Sequence, residues 1–114
     1  MDEYRIRITR QAREHLREIR TYIEQKFLAP VAAKNTIAAI RTQIQSLSHM
    51  PDRIHLTPEQ PWYDQGVRRD RVKKYYIYYW IDEDRRTVQI IGVIYVRRDQ
   101  SRQMEQMDFS EVSK

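Results

Sequence analysis

Cysteine is absent from this chain, glycine occurs only twice in 114 residues, and no long apolar run is present. The lack of cysteine excludes disulfides, thiol chemistry and thiolate metal sites. Without an apolar N-terminal run or a long apolar segment, the sequence predicts neither an export signal nor a membrane-spanning helix. We therefore expect a cytoplasmic protein with no membrane partner.

Histidine is also scarce, and the three histidines are His15, His49 and His55. Their spacing does not match the spacing of metal ligands, so we expect no metal and no cofactor. His49 and His55 lie in or beside a proline-bearing stretch, where a histidine can carry a proton near neutral pH. The alternative is that His49 and His55 are ordinary surface residues.

Positive charge is in excess, with 21 lysines and arginines against 16 acidic residues and a net charge of +5. A basic protein of this size binds nucleic acid, anionic surfaces or acidic proteins, and its charge speeds the encounter with each of them. With 32% charged residues and few glycines, the composition is that of a globular protein.

The first half of the chain predicts one strand and two helices. Tyr4, Ile6 and Ile8 alternate with polar residues, which is the pattern of a strand with one buried face. Thr9 is well placed to cap a following helix. Apolar residues then repeat at helical spacing, first at Ala12, Leu16, Ile19, Ile23 and Phe27, and after Pro30 at Ala33, Ile37, Ile40, Ile44 and Leu47. Two helices so closely connected predict an antiparallel hairpin.

The second half predicts a β-meander. An irregular connection, residues 48–66, carries three prolines. Strands follow at about 67–72, 75–82 and 87–96, and the aromatic run in the middle strand indicates burial on both faces. Met104 and Met107 indicate a short helix. The order β-α-α-β-β-β predicts an α+β domain, in which a twisted antiparallel sheet packs against the helical hairpin. We expect one domain over 1–107 and a flexible tail over 108–114.

Two stretches carry a family resemblance: YRIRITRQAREHLREIRTYIE at 4–24 and RVKKYYIYYWIDEDRRTVQIIGVIYVRRD at 71–99. Together with the hairpin, they resemble the RelE/ParE superfamily of bacterial toxins from type II toxin–antitoxin modules, over about 4–104. The resemblance implies a toxin that inhibits growth and is neutralised by a cognate acidic antitoxin. One branch of the superfamily cleaves mRNA on the ribosome without a metal, and the other poisons DNA gyrase.

Candidate catalytic residues come from this resemblance. Arg97 matches the strand-end arginine that RelE-type ribonucleases use on RNA phosphate, and Arg71 and Arg98 are the residues from which a site would be rebuilt. The alternative is that Arg97 and Arg98 are solvated strand-end charges, one of them paired with Asp99.

Candidate target-binding residues are Arg69, Lys73, Lys74, Tyr76 and Tyr78. Arg69, Arg71 and Lys73 share one face of a predicted strand, where they suit phosphate contacts or simply solubility. The tyrosines offer rings on which unpaired bases stack, although core packing is the alternative for them. Tyr22, Phe27, Ile37 and Ile44 are candidates for contact with the antitoxin, and each of them equally suits the core.

The match to the ribonuclease branch is incomplete. Tyr76 stands where those enzymes have an arginine, residues 100–103 contain no tyrosine, and residues 49–65 contain no lysine. These differences favour the gyrase-directed branch slightly, whereas the basic strand ends still suit RNA phosphate. The alternative to a toxin is a protein of a different functional class, a nontoxic RNA-binding or regulatory module.

Overall fold

Two helices of 17 residues each fold back on one another and cover one face of a four-stranded sheet. The computed structural model describes residues 3–112. Its strands are Arg5–Ile8 (β1), Arg68–Val72 (β2), Tyr75–Asp82 (β3) and Thr87–Tyr95 (β4). Its helices are Arg10–Lys26 (α1), Pro30–Ser46 (α2), Trp62–Gln65 (α3) and Gln100–Gln106 (α4). The predicted α+β class and the helical hairpin are confirmed.

The strand order across the sheet is β1-β4-β3-β2. The meander of β2, β3 and β4 is antiparallel, as expected, but β1 runs parallel to β4, with Arg5 opposite Thr87 and Ile8 opposite Ile90. The sheet is therefore mixed and not wholly antiparallel. A parallel pair needs a long connection between its strands, and here the helical hairpin and the meander both lie between β1 and β4.

Thr9 joins β1 to α1. Its hydroxyl accepts a hydrogen bond from the Ala12 amide at 3.2 Å, which confirms the predicted N-cap. The same hydroxyl donates towards the carbonyls of Ile90 (2.9 Å) and Ile91 (3.2 Å) on β4. Thr9 is only 2% exposed, so one buried side chain both starts α1 and ties it to β4.

The main core lies between the hairpin and the sheet. Pro30 begins α2 in its first turn, where its missing amide costs no hydrogen bond. The buried stripe of each helix meets the sheet there, and the fully or nearly fully buried side chains include Leu16, Ile40, Ile77 and Tyr79. The predicted helix periodicities match the faces that the structure buries except at Phe27, which follows α1 and is 63% exposed.

A second core covers the opposite face of the sheet. Trp62 from α3 and Met104 and Met107 from the C-terminal region pack there around Tyr78 and Ile91. The prediction that β3 is covered on both faces is thus confirmed by its neighbours. The short helix expected around Met104 is present as α4.

Residues 108–112 contact the body of the protein, which differs from the flexible tail expected from residue 108. Glu111 accepts hydrogen bonds from the Arg7 guanidinium (3.0 Å) and from the Arg10 amide (2.8 Å). Gln11 accepts from the Asp108 amide at 2.7 Å. These polar contacts were not visible from spacing, since the partners are about 100 positions apart in sequence. Residues 113 and 114 lie outside the described part of the chain.

The connection between α2 and β2 is pinned to the sheet. The Tyr79 hydroxyl donates to the carbonyl of buried Pro51 at 2.6 Å, and the Thr57 amide donates to the Val67 carbonyl at 2.9 Å. Burial raises the pKa of Tyr79, so this phenol stays protonated at neutral pH. The irregular segment is therefore an ordered wall of the domain.

Replacing Thr9 with valine tests the junction of β1 and α1. The change keeps the shape of the side chain but removes the hydroxyl that caps α1 and bonds to β4. We expect a loss of about 1–2 kcal/mol in the free energy of unfolding. Thr21→Val, at an exposed position of α1, is the matched control and should cost less than about 0.5 kcal/mol. Urea denaturation measures both, and equal losses would contradict the assigned role of Thr9.

Candidate functional site

Five exposed cationic residues gather at one end of the sheet. The turn at Lys73 and Lys74 joins β2 to β3, and the turn 96–99 follows β4. The Val96 amide donates to the Lys74 carbonyl at 2.9 Å, which holds the two turns side by side. We call the resulting cluster the basic end; its residues are Arg71, Lys73, Lys74, Arg97 and Arg98. All three candidate catalytic arginines therefore lie in this cluster.

The turn that carries Arg97 and Arg98 is held by the side chain of Gln100. Its amide nitrogen donates to the Tyr95 carbonyl at 2.9 Å and the Arg98 carbonyl at 2.8 Å, and its oxygen accepts from the Tyr78 hydroxyl at 2.7 Å. The sequence analysis did not single out Gln100. A glutamine that follows an Arg-Arg-Asp turn gives no pattern by which it could have been found.

Asp99 has a different partner from the one that the sequence suggested. Its carboxylate accepts from the Arg102 amide at 3.2 Å and so caps α4. The expected ion pair between Asp99 and one of the preceding arginines is replaced by this cap. Both arginines also follow β4 in a turn, since the strand ends at Tyr95.

Arg69 lies apart from the basic end and is engaged within the fold. Its guanidinium pairs with the Glu59 carboxylate at 3.2 Å and lies over the ring of Tyr76, 4.4 Å from the ring centroid. Both partners of the ion pair are largely shielded, with the Arg69 side chain 19% exposed. The predicted target-binding role of Arg69 therefore competes with an intramolecular one.

The two candidate stacking tyrosines differ in exposure. Tyr78 is fully buried under α4, and burial raises the pKa of its hydroxyl. Of the two readings of Tyr78, stacking platform or core residue, the structure shows the core residue, because α4 folds back over that face of β3. Tyr76 is half-buried, and Arg69 lies over its ring.

A groove of about 1060 Å³ runs between α1 and the ends of β3 and β4, next to the basic end. We call it the aromatic groove; Ile19, Tyr22, Phe27, Tyr75 and Tyr95 form its apolar lining. Lys73, Lys74 and Arg98 of the basic end also line it. The rings of Tyr22 and Phe27 meet edge to face at 5.9 Å between centroids, although these side chains are 56% and 63% exposed.

Two of the four candidate antitoxin contacts therefore line this groove, namely Tyr22 and Phe27. Ile44 is fully buried in the main core and Ile37 packs against that core, so the expectation of a binding surface at Ile44 is wrong. The apolar stripe of α2 faces the sheet and α1, so its buried side chains offer no surface to an antitoxin. Leu28, between the helices, and Val31, in the first turn of α2, are 84% and 70% exposed, although neither was among the candidates. Their only signal in the sequence is an apolar side chain close to Pro30.

The three histidines occupy different surroundings. His49 lies 3.3 Å from Glu3 at the start of β1, where an isolated bridge also joins these two residues. His55 is exposed, and its carbonyl accepts from the Arg69 amide at 3.3 Å, beside β2. His15 is half-buried in the wall of the aromatic groove, where its Nδ1 accepts from the Val93 amide at 3.1 Å. The helix periodicity places His15 at the margin of the buried stripe of α1.

Within residues 3–112, no three His, Cys, Asp or Glu side chains come together in a group that would hold a metal ion. The helices of the same part of the chain include none that is long and apolar enough to cross a membrane.

A family model for the ParE toxin of type II toxin–antitoxin systems (parDE) matches residues 6–100. A chromosomal ParDE toxin–antitoxin system from P. aeruginosa has a similar fold, with a TM-score of 0.67 at 19% identity over 85% of this chain and 100% of that chain. The RelBE2 toxin–antitoxin complex from Mycobacterium tuberculosis gives 0.62 at 25% identity over 83% and 93%. Free E. coli toxin RelE, with two arginines changed to alanine, gives 0.61 at 11% identity over 89% and 92%.

No curated protein matches the chain. The family match nevertheless spans most of it, from β1 to the first residue of α4. The arrangement of a helical hairpin on a four-stranded sheet agrees with the structural neighbours. The chain therefore belongs to the ParE toxin family of type II toxin–antitoxin systems.

Proposed function

We propose that this toxin inhibits growth by binding DNA gyrase through its basic end, and that it breaks no bond itself. The observation that carries the proposal is the cluster of five exposed cations on two adjoining turns, with the histidines of residues 3–112 engaged elsewhere or remote from it. A surface of this kind supplies charge and hydrogen-bond donors to a large partner.

Cleavage of RNA needs more than cations. It needs a base that takes the proton of the 2′-hydroxyl and an acid for the leaving oxygen. His15 has its Nδ1 occupied by the Val93 amide, and Asp99 is engaged as the cap of α4. A phenol is protonated at neutral pH, and burial raises the pKa of Tyr75 further, so its hydroxyl is not available there as a base. These arrangements support binding over catalysis.

The sequence supports the same choice. Tyr76 replaces the arginine of the ribonuclease branch, and its ring is covered by Arg69. Residues 49–65 lack lysine and residues 100–103 lack tyrosine. The family resemblance implies that the gyrase-directed branch lacks these ribonuclease residues.

The double substitution Arg97→Ala and Arg98→Ala tests the basic end. Because each charge-assisted contact is worth about 1.5–3 kcal/mol, we expect gyrase binding to weaken by at least about tenfold and growth inhibition to be lost. Gyrase-dependent DNA breaks and the SOS response measure the effect in cells. Arg102→Ala, at an exposed position of α4, is the matched control and should remain toxic.

Three results would contradict this assignment. Codon-specific cleavage of mRNA by the unaltered chain would place it in the ribonuclease branch. Full growth of a host that makes folded protein without antitoxin would favour a nontoxic RNA-binding module. Toxicity that survives in the double variant would move the target contact away from the basic end.

We infer further that an acidic antitoxin docks on the aromatic groove. Exposed aromatic side chains in contact with each other indicate a binding site, and Tyr22 and Phe27, whose rings meet in the groove, are both more than half exposed. Lysine and arginine beside an apolar groove suit an amphipathic segment with carboxylates along one side. The P. aeruginosa and M. tuberculosis neighbours come from toxin–antitoxin systems, which supports a partner of this kind.

The double substitution Tyr22→Ala and Phe27→Ala tests this docking site. Buried aromatic anchors in an interface cost about 2–4 kcal/mol when truncated, so we expect antitoxin affinity to fall by at least about thirtyfold. Growth inhibition by the toxin alone should persist. Calorimetry measures the affinity, and loss of growth rescue on co-expression gives the cellular readout.

Tyr63→Ala is the matched control, because Tyr63 is 47% exposed on α3 and does not line the groove. Equal affinity of the double variant and the unaltered toxin would show that the antitoxin binds elsewhere. An equal loss for Tyr63→Ala would show that exposed aromatic area matters in general and the groove does not.

A further inference from the structure

Over the last residues of β4, its outer edge is covered by side chains and not by a neighbouring strand. β1 pairs only with the first part of β4, up to Ile90. Beyond that point, the first turns of α1 supply the partners: Gln11 donates to the Ile91 carbonyl at 2.9 Å, and His15 accepts from the Val93 amide at 3.1 Å. Unpaired edge groups bind other chains readily, so these side chains keep the edge closed.

The position of His15 is built into the packing. Gly92 lies opposite the imidazole, and a Cβ atom at this position would come within 3.1 Å of two ring atoms and 3.0 Å of the Met107 sulfur. A Cβ at these distances would require the ring or the Met107 side chain to shift by a few tenths of an ångström, so glycine leaves room for the imidazole as it lies. The contact with Val93 is therefore part of a fitted seat for the ring.

This hydrogen bond requires a neutral imidazole. Nδ1 accepts a hydrogen bond from the Val93 amide only when Nδ1 itself is not protonated, so the neutral ring carries its hydrogen on Nε2. A protonated imidazole would place two N–H groups against each other. We propose that His15 is a proton-operated latch. The neutral imidazole closes the edge of β4 by accepting from the Val93 amide, and the charged imidazole leaves that amide and turns into the aromatic groove.

The surroundings of His15 support this assignment. Burial lowers the pKa of His15, while Glu18 and Glu14 on the same helix act in the opposite direction and more weakly. Across the groove stand the cations of the basic end and two phenols, and α4 presents uncharged Gln103; these facing groups are Lys73, Lys74, Arg98, Tyr75 and Tyr95.

The direction of the pH effect follows from the lowered pKa. The unfolded chain binds a proton at His15 near the ordinary value of 6.5, and the folded chain binds it only at lower pH. The contribution of the latch to stability is therefore fully present above about 6.5 and is lost as the pH falls through the folded-state pKa. Because the latch forms a wall of the aromatic groove, acidification also alters the shape of that groove. This inference holds whether or not the toxin binds gyrase.

Nuclear magnetic resonance of the unaltered protein tests the latch directly. We expect the imidazole of His15 to titrate below pH 6.5, the Val93 amide signal to move with the same midpoint, and the protection of that amide from hydrogen exchange to be lost. An imidazole that titrates at 6.5 or above would overturn the proposal. So would a Val93 amide that stays protected after His15 is charged.

A pair of variants adds a stability readout. His15→Gln offers an oxygen acceptor that does not titrate, so it should remove most of the stability loss that the unaltered chain shows between pH 7.5 and 5. His55→Gln, at an exposed position, should keep that loss. The same pH dependence in His15→Gln as in the unaltered chain would overturn the latch. If His15→Gln fails to fold, the resonance titration of the unaltered protein decides alone.

Discussion

β4 is buried on both faces, and this burial limits where a partner can bind. Eight of its nine residues are buried, with the helical hairpin on one side and α3 and α4 on the other. β4 therefore offers no open face to a ligand, whereas the outer strands β1 and β2 keep exposed residues. Both candidate surfaces lie where the cover of β4 ends, one at the ends of the strands and the other between the sheet and α1.

The same constraint explains why arginines of similar sequence context have different surroundings. Arg69 lies inside β2, where the covering loop brings Glu59 within 3.2 Å and the guanidinium has an internal partner. Arg97 and Arg98 come after β4 has ended, beyond the cover, and remain exposed. A charged group that leaves the sheet keeps its hydration and its field, which is what attraction of a large partner requires.

Local patterns in the sequence were enough to predict most of the elements. Thr9 was recognisable as a cap, the two apolar stripes predicted the hairpin, and the aromatic run of β3 indicated burial on both sides. Each of these signals lies within a single helix or strand or its cap, where periodicity is informative. Met104 and Met107 likewise indicated a short helix, and α4 includes Met104.

Signals of this kind do not say what covers a face. Tyr78 was a candidate both for stacking and for the core, because nothing near β3 in sequence shows that α4 returns over it. The parallel pairing of β1 with β4, the contacts of Glu111 and the seat of His15 opposite Gly92 likewise join segments about 80 to 100 residues apart. Ile44 shows the converse error, since a stripe that packs inward cannot also be a docking surface. Candidate sites were thus recoverable where they depended on exposed charge, and not where they depended on packing.

The two candidate surfaces share residues, and this has a consequence for the proposed mode of inhibition. Lys73, Lys74 and Arg98 belong to the basic end and also line the aromatic groove. A carboxylate-bearing segment seated on Tyr22 and Phe27 would pair with these cations and cover part of the surface proposed for gyrase. Antitoxin and target would then compete for the same charges, and each would weaken the binding of the other by the same factor. On this view neutralisation needs no change of fold, because the groove places the antitoxin's charges where the target would otherwise bind.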